Sequence, residues 1–190
     1  MHSAILNHIS KDITLTKEEQ EEFLSILSEI KAGKKEILIK PGDSVKSEYY
    51  VVSGCLKAYY LDENGDEHII QFAVEDWWIS DFEAFFNQVP AQLFLETIEE
   101  SVLLEIQKDS LEVLYQRIPI FERFFRLKTT GAFVSLRSRI LSSLQLNSKQ
   151  RYQEFCKSYP NIEKRVPNYQ IANYLGIQPE SLSRIRKELL

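Results

Sequence analysis

Residues 167–190 read PNYQIANYLGIQPESLSRIRKELL, two short helical patterns that meet at Gly176. Ile171, Ala172 and Leu175 before the glycine, and Ile177, Leu182 and Ile185 after it, have the offsets that two steeply crossing helices require. Ala172 is small where the crossing is close, and Gly176 can take the positive φ that ends the first helix. Gln178 and then Pro179 announce the second helix, since the fixed φ and missing N–H of proline suit a first helical position. Glu180 adds a negative charge at the positive end of the helix dipole. With Leu182 and Ile185 turned to the core, the helical period leaves Glu180, Ser181, Arg184 and Lys187 on other faces. Arg184 can bond a guanine bidentately and Glu180 can accept from a cytosine amino group, while Ser181 and Lys187 suit phosphates. The pattern therefore predicts a helix-turn-helix; the competing reading is a helical hairpin that merely packs, with Arg184, Arg186 and Lys187 as a solvated face.

Charge supports the first reading once it is divided by position. The chain of 190 residues has a formal net charge of −5, but residues 1–117 hold 10 Lys+Arg against 23 Asp+Glu, a balance of −13. Residues 118–190 hold 13 against 5, a balance of +8, and the motif lies there. Length and a 44% hydrophobic content suffice for one ordinary core and a small satellite domain. Cys55 and Cys156 are far apart and outside any CxxC, which points to a reducing cytoplasm and to neither a disulfide framework nor a zinc site. Cys55 lies in an alternating apolar run and reads as a small core residue. His2, His8 and His68 make no ligand-spaced cluster, no apolar stretch reaches membrane length, and no basic-then-apolar leader opens the chain.

Further upstream, TKEEQEEFLSILSEI at residues 16–30 has a Thr cap, early acids and Phe23, Leu24, Leu27 and Ile30 on one side, predicting an amphipathic helix. From Lys34 the period changes to two. KEILIKPGDS, EYYVVSGCLKAYYLDENGDEHIIQFAVEDWW and QLFLETIEESVLLEIQ are β-rich runs broken by PGD, SG and NGD turns, the signature of a jelly roll. ISDFEAFFNQVPA interrupts them with Phe82, Phe85 and Phe86 and reads as a single inserted helical turn. Residues 119–146, opened by Pro119, predict one long helix. Phe125, Phe133, Leu136, Ile140 and Leu144 form one apolar arc on it, and Leu127, Val134 and Leu141 repeat every seven residues on another. One face can pack on the barrel and the other on a second copy, the alternative being a helix buried all round in a monomer.

An acidic β-roll, a long dimerisation helix and a C-terminal helix-turn-helix, in that order, resemble the Crp/Fnr family of bacterial transcription regulators along nearly the whole chain. The local marks are KEILIKPGD at Lys35 to Asp43, YYVVSGCLKAYY at Tyr49 to Tyr60, and IANYLGIQPESLSRI. The resemblance implies an α+β chain: a cyclic-nucleotide-binding-domain-like jelly-roll β-barrel over residues 1–117, a dimerisation helix over 118–146 and a winged-helix-like DNA-binding domain over 147–190. It implies a homodimer on double-stranded DNA, joined through Leu127, Phe133, Val134, Ile140 and Leu141, with RNA polymerase as a further partner and no membrane. By position, Glu180 and Arg184 would read bases, and Asn168, Tyr169, Gln178, Ser181 and Lys187 would touch phosphates. The recognition helix of the family often begins Arg-Glu; Pro179 replaces that arginine, which implies a different operator. The quoted sequence stops directly after this helix, so no further C-terminal element is expected to add contacts.

The best-known members bind cyclic AMP with a Gly-Glu pair in the inserted turn and an Arg-Ser or Arg-Thr pair before the next strand. The ungapped counterparts are Ser80-Asp81 and Ala91-Gln92, so the phosphate-neutralising arginine is missing, and Asp81 and Glu83 would repel an anion. Losing such a charge-assisted pair weakens binding by roughly two decades or more. Binding of cyclic AMP in the family's usual way is therefore not expected. An alternative effector pocket would use Ser80, Asp81, Ala91, Gln92, Trp78 and Arg137, with Arg137 and Arg139 as substitute anion ligands; the effector itself is unknown and no cofactor is implied. No cysteine precedes Cys55 to hold an iron–sulfur centre, and His68, after NGDE, reads as solvated and not as a haem ligand. A metal enzyme of the cupin type, the other small jelly roll, needs two histidines plus an acid on neighbouring strands, and only His68 lies in the barrel pattern. No catalytic constellation is present.

Overall fold

The computed structural model describes residues 2–189. It contains α1 (His2–Ile9), α2 (Lys17–Ser25), β1 (Leu27–Ala32), β2 (Ile37–Ile39), β3 (Ser47–Ser53), β4 (Leu56–Leu61), β5 (Glu67–Ala73) and β6 (Trp78–Ile79). There follow α3 (Phe82–Asn87), β7 (Phe94–Thr97), β8 (Ser101–Gln107), α4 (Lys108–Arg117), α5 (Ile120–Gln145), α6 (Ser148–Ser158), a 3-10 turn (Ile162–Lys164), α7 (Asn168–Leu175) and α8 (Pro179–Leu189). The chain divides into two compact units: Met1–Ala58 with Phe72–Thr130, and Tyr59–Gln71 with Gly131–Leu190.

In the first unit, two four-stranded sheets, β1-β8-β3-β6 and β2-β7-β4-β5, make the expected jelly roll. The period-two alternation of β3 explains how it serves two cores. Tyr49 and Val51 enter the cluster that also holds Ile39, Leu56, Ala73, Leu95 and Leu103. Tyr50 turns to the opposite side and packs with Ile5, Ile9, Phe23, Leu114, Phe121 and Phe124 from the helices. Cys55 is fully buried with a free thiol. At the SG turn, Gly54 has φ 110°, and a Cβ there would come within 2.1 Å of Ser101 Oγ, so no other residue fits.

The helix expected over residues 16–30 is corrected to its first half. Thr16 and Glu19 form the capping box that starts α2, but the helix ends at Ser25. Residues 27–32 become β1, paired antiparallel with β8 from Leu27↔Ile106 to Ala32↔Ser101. Leu27 and Ile30, on one side of a helix, are on opposite sides of a strand, and each supplies a different core. The long helix runs from Ile120 to Gln145, close to expectation. Its barrel-facing anchors are Phe121 and Phe124, both completely buried, with Phe125 packed beside them. Each such burial stabilises by about 1.5–3 kcal/mol. From Gly131 onward the side chains of α5 are exposed, apart from partly covered Arg139 and, beyond it, Ser142 and Leu146 after the helix.

In the second unit, Asn147 caps α6 through a capping box with Gln150. Tyr152, Phe155, Tyr159, Ile162 and Val166 are buried together with the inward residues of α7 and α8. Only the helical part of the winged-helix expectation is present, because no strand occurs among the described residues 147–189.

Candidate nucleic-acid interface and effector pocket

Gly176 closes α7 in the left-handed region at φ 63°, ψ 43°. Its N–H donates to Asn173 O at 3.0 Å, and that of Ile177 donates to Ala172 O at 3.0 Å, which turns the chain into α8. Ile171, Ala172 and Leu182 are completely buried at the crossing, with Leu175 and Ile185 next to them. Glu180, Arg184 and Lys187 are exposed, spaced by four and three residues on one face of α8. Gln178 is exposed immediately before that helix, Ser181 is half-buried on its first turn, and Tyr169 is 57% exposed on α7.

Asn168 differs from these. Its Nδ2 donates to Pro179 O at 3.1 Å and to Ser183 Oγ at 3.2 Å, and its Oδ1 accepts from Arg186 Nη1 at 3.2 Å. The side chain braces α7 against α8, and Arg186 is held by the same contact.

Residues 59–71, the distal part of the β4–β5 hairpin, belong to this second unit. Asn173 Oδ1 accepts from Ile69 N–H at 2.8 Å, and Asn173 Nδ2 donates to Glu67 O. Arg139 donates to Ile70 O and lies over the Tyr174 ring, 4.7 Å from its centroid. At the hairpin tip, Asp62 Oδ1 accepts from the N–H groups of Asn64 and Asp66, both at 2.9 Å, while Oδ2 lies 3.1 Å from His68 Nε2. The His68 contact and these backbone bonds hold the Asp62 carboxyl below its ordinary value. His68 is stacked on Tyr60 at 4.7 Å and remains partly exposed, in keeping with a surface residue. A cavity of about 910 Å³ opens between the tip, Arg151 of α6, and the start of the α7–α8 motif. Sequence reasoning did not single out Arg151 or Asn173; the capping box at Asn147 would have revealed α6, but nothing local marks a contact with the hairpin.

Four of the candidate effector residues, Ser80, Asp81, Ala91 and Gln92, lie together at the start of α3. Ser80 Oγ donates to Ser47 O at 2.8 Å within the core. Asp81, 3% exposed, accepts from Ala84 N–H at 3.2 Å at the start of α3 and from Gln92 and Leu93 N–H at 2.8 and 3.0 Å. Three backbone donors thus converge on an anion that the chain itself supplies. Ala91 is buried, its N–H and C=O bonded to Asp43 and Gly42 of the PGD turn, and the Gln92 side chain is exposed. Trp78 does not join them, since it packs on Tyr50 and Phe125 in the other core. Arg137 is exposed on α5 and belongs to the second unit. Among the described residues, no group of three or more His, Cys, Asp or Glu could hold a metal, and no helix is long and apolar enough to cross a membrane.

Comparison with known proteins agrees with this organisation. Residues 29–118 match the cyclic nucleotide-binding domain family. The chain is 27% identical to the anaerobic regulatory protein of Haemophilus influenzae over 187 residues, covering 90% of this chain and 71% of that protein. It is 29% identical to the fumarate and nitrate reduction regulatory protein of Yersinia pestis over 185 residues, covering 90% and 73%. Among solved structures, FixK2 from Bradyrhizobium japonicum shares the fold with a TM-score of 0.72 at 19% identity, covering 86% of this chain and 84% of that one.

Proposed function

We propose, from the chain's similarity to regulators of the Crp/Fnr type, that it is a sequence-specific DNA-binding transcription regulator. It works as a homodimer in the cytoplasm, with RNA polymerase as a further partner. The observation that carries this reading is α8: a buried Leu182–Ile185 side fixes the helix, and the opposite side offers Glu180, Arg184 and Lys187 to a major groove. Tyr169, Gln178 and Ser181 flank that face as phosphate contacts. The exposed apolar side chains of α5 support the homodimer, because two motifs must be joined to read half-sites about 34 Å apart.

Cyclic AMP does not control this regulator in the family's usual way. A cyclic phosphate would need the donors that Asp81 already occupies, without an arginine at Ala91 to neutralise it. The alternative, a nucleotide-responsive regulator using Arg137 and Arg139, would have to release Arg139 from Ile70 and Tyr174. The test is a fluorescence titration against a pool of short duplexes, with and without cyclic AMP and cyclic GMP. Selection of a two-fold symmetric site, unchanged by nucleotide, is expected. Selection only with nucleotide would overturn the independence from cyclic nucleotides, and no selection in either condition would overturn the DNA-reading function.

A further inference from the structure

The hairpin at residues 59–71 has an unusual arrangement of partners. β5 is the edge strand of its sheet, so its outward N–H and C=O groups have no neighbouring strand. Asn173 fills that role from α7: its side-chain amide accepts from Ile69 N–H and donates to Glu67 O, as a peptide group of an added strand would. Arg139 adds the bond to Ile70 O. These contacts hold the sequence DENGDE, with four acids at positions 62, 63, 66 and 67, beside the motif that carries the proposed DNA contacts.

The open cavity there has one wall of hairpin and one formed by residues of the α7–α8 motif. Asp66 and Glu67 line it from the tip, and Tyr169, Gln178 and Ser181, three of the proposed phosphate contacts, line it from the motif. Arg151 lines it as well, with its Nε buried and lacking a hydrogen-bond partner. Gln170, 6% exposed, has an unpartnered Oε1 in the same lining. A DNA strand reaching these residues must enter a space lined by the acidic tip residues Asp66 and Glu67, and both the bulk of the tip and the negative charge of the DENGDE segment oppose it.

We infer that the acidic hairpin is an autoinhibitory latch that competes with the DNA backbone for the phosphate-contact surface, with Asn173 as its catch. In the latched form the hairpin tip occupies the approach to Tyr169, Gln178 and Ser181. DNA binding requires the tip to leave, which frees Ile69 N–H and Glu67 C=O from Asn173. This rests on the DNA-binding function proposed above.

The experiment measures the affinity of the full chain for the duplex selected from the pool and for a random duplex. Four proteins are compared: wild type, Asn173→Ala, the pair Asp66→Asn/Glu67→Gln, and the pair Glu18→Gln/Glu21→Gln. The last pair, exposed on α2 in the other unit, removes the same charge without touching the hairpin. Asn173→Ala and the Asp66/Glu67 pair are each expected to bind the selected duplex about tenfold tighter, with the Glu18/Glu21 pair within about twofold of wild type. Exchange at the Ile69 amide of wild type should accelerate when the selected duplex is added. Tip-acid variants that bind no tighter than wild type, or a Glu18/Glu21 pair that reproduces their gain, would overturn the latch while leaving DNA reading intact. The tip-acid pair decides the matter should Asn173→Ala disturb α7. Failure of every protein, wild type included, to select any duplex would instead remove the DNA-binding function on which the latch rests.

Discussion

Glu48 carries a carboxyl into the core on β3, where its Oε1 has no hydrogen-bond partner. Burial pushes its pKa up to about 8, and the neighbouring Tyr115 phenol is pushed up by burial and then by the carboxyls of Glu48, Glu112 and Glu122. Folded Glu48 thus keeps a proton that the unfolded chain, with an ordinary value of 4.5, gives up. Since the folded value is raised, the associated stability is present below 4.5 and is lost as pH rises through about 8. Glu48→Gln, which keeps the shape and removes the titration, should match wild type near the acid end of that window and exceed it at the alkaline end by several kcal/mol, with about 5 kcal/mol as the ceiling set by the full shift. Urea unfolding of both proteins across the window would show it, and a difference independent of pH would refute it. On α8, the prediction concerns division of labour. Arg184→Ala should cost about 1–3 kcal/mol on the selected duplex and relax base preference, whereas Lys187→Ala should weaken selected and random duplexes alike. Competition titrations with single-base variants of the site would separate the two, and equal loss on all sequences for both variants would remove Arg184 as a base reader. The exposure of these two residues was legible in the sequence because burial of Leu182 and Ile185 fixes the phase of one helix. Asn173 was not, because its partners Ile69 and Glu67 are more than a hundred residues away and local periodicity carries no record of them.

Helix α5 changes character along its length. Phe121 and Phe124 anchor its start, but Phe133, Val134, Leu136, Ile140, Leu141 and Leu144 are between 44% and 77% exposed. Six large apolar side chains in water on one helix have the spacing of a coiled-coil seam, and the proposed homodimer would cover them with a second copy of the same helix. A pair of charges, Ile140→Glu/Leu141→Glu, should convert the dimer to monomer without unfolding the chain, because both positions lie outside the cores anchored at Phe121 and Phe124. Sedimentation velocity would read the change, and affinity for the two-fold site should fall by about a hundredfold, towards that of a half-site. Wild type that sediments as a monomer, or a variant that stays dimeric, would remove this interface. At this scale the sequence was informative wherever an element had its own punctuation. PGD, SG and NGD marked the barrel, Pro119 opened the long helix one residue before Ile120, and Gly176–Pro179 joined the motif. It misled at residues 27–30, where Leu27 and Ile30 satisfy both a helical and a strand period. Only pairing with β8, distant in sequence, decides between them. The short helices α1 and α4 escaped the reading altogether, each being held by contacts with β3 and β8 and with the aromatic cluster beneath α5 more than by signals of its own.

At the scale of the whole molecule, charge is sorted along the chain, from −13 in residues 1–117 to +8 in residues 118–190. That asymmetry was readable directly, but the division into compact units was not. Residues 59–71, with four acids and His68, are contiguous with the barrel in sequence and yet form part of the basic unit. The cations of that unit, among them Arg184 and Lys187 of the motif and Lys149 and Arg151 of α6, are therefore partly offset by acids of the same unit. An interaction built on so few cations is governed by counterion release. A dimer neutralising roughly five to seven phosphates should give a slope of log affinity against log salt between about −4 and −6, equivalent to two to four decades between 50 and 200 mM salt. Lys187→Ala removes one such contact from each protomer and should make the slope shallower by about 2 for the dimer. Titration of the selected duplex at four or five salt concentrations, for wild type and Lys187→Ala in parallel, measures both. A wild-type slope near zero would mean that the basic half of the chain does not meet phosphate. An unchanged slope for Lys187→Ala would move the phosphate contact to other cations of the unit, Lys149 and Arg151 on α6 being the next to replace.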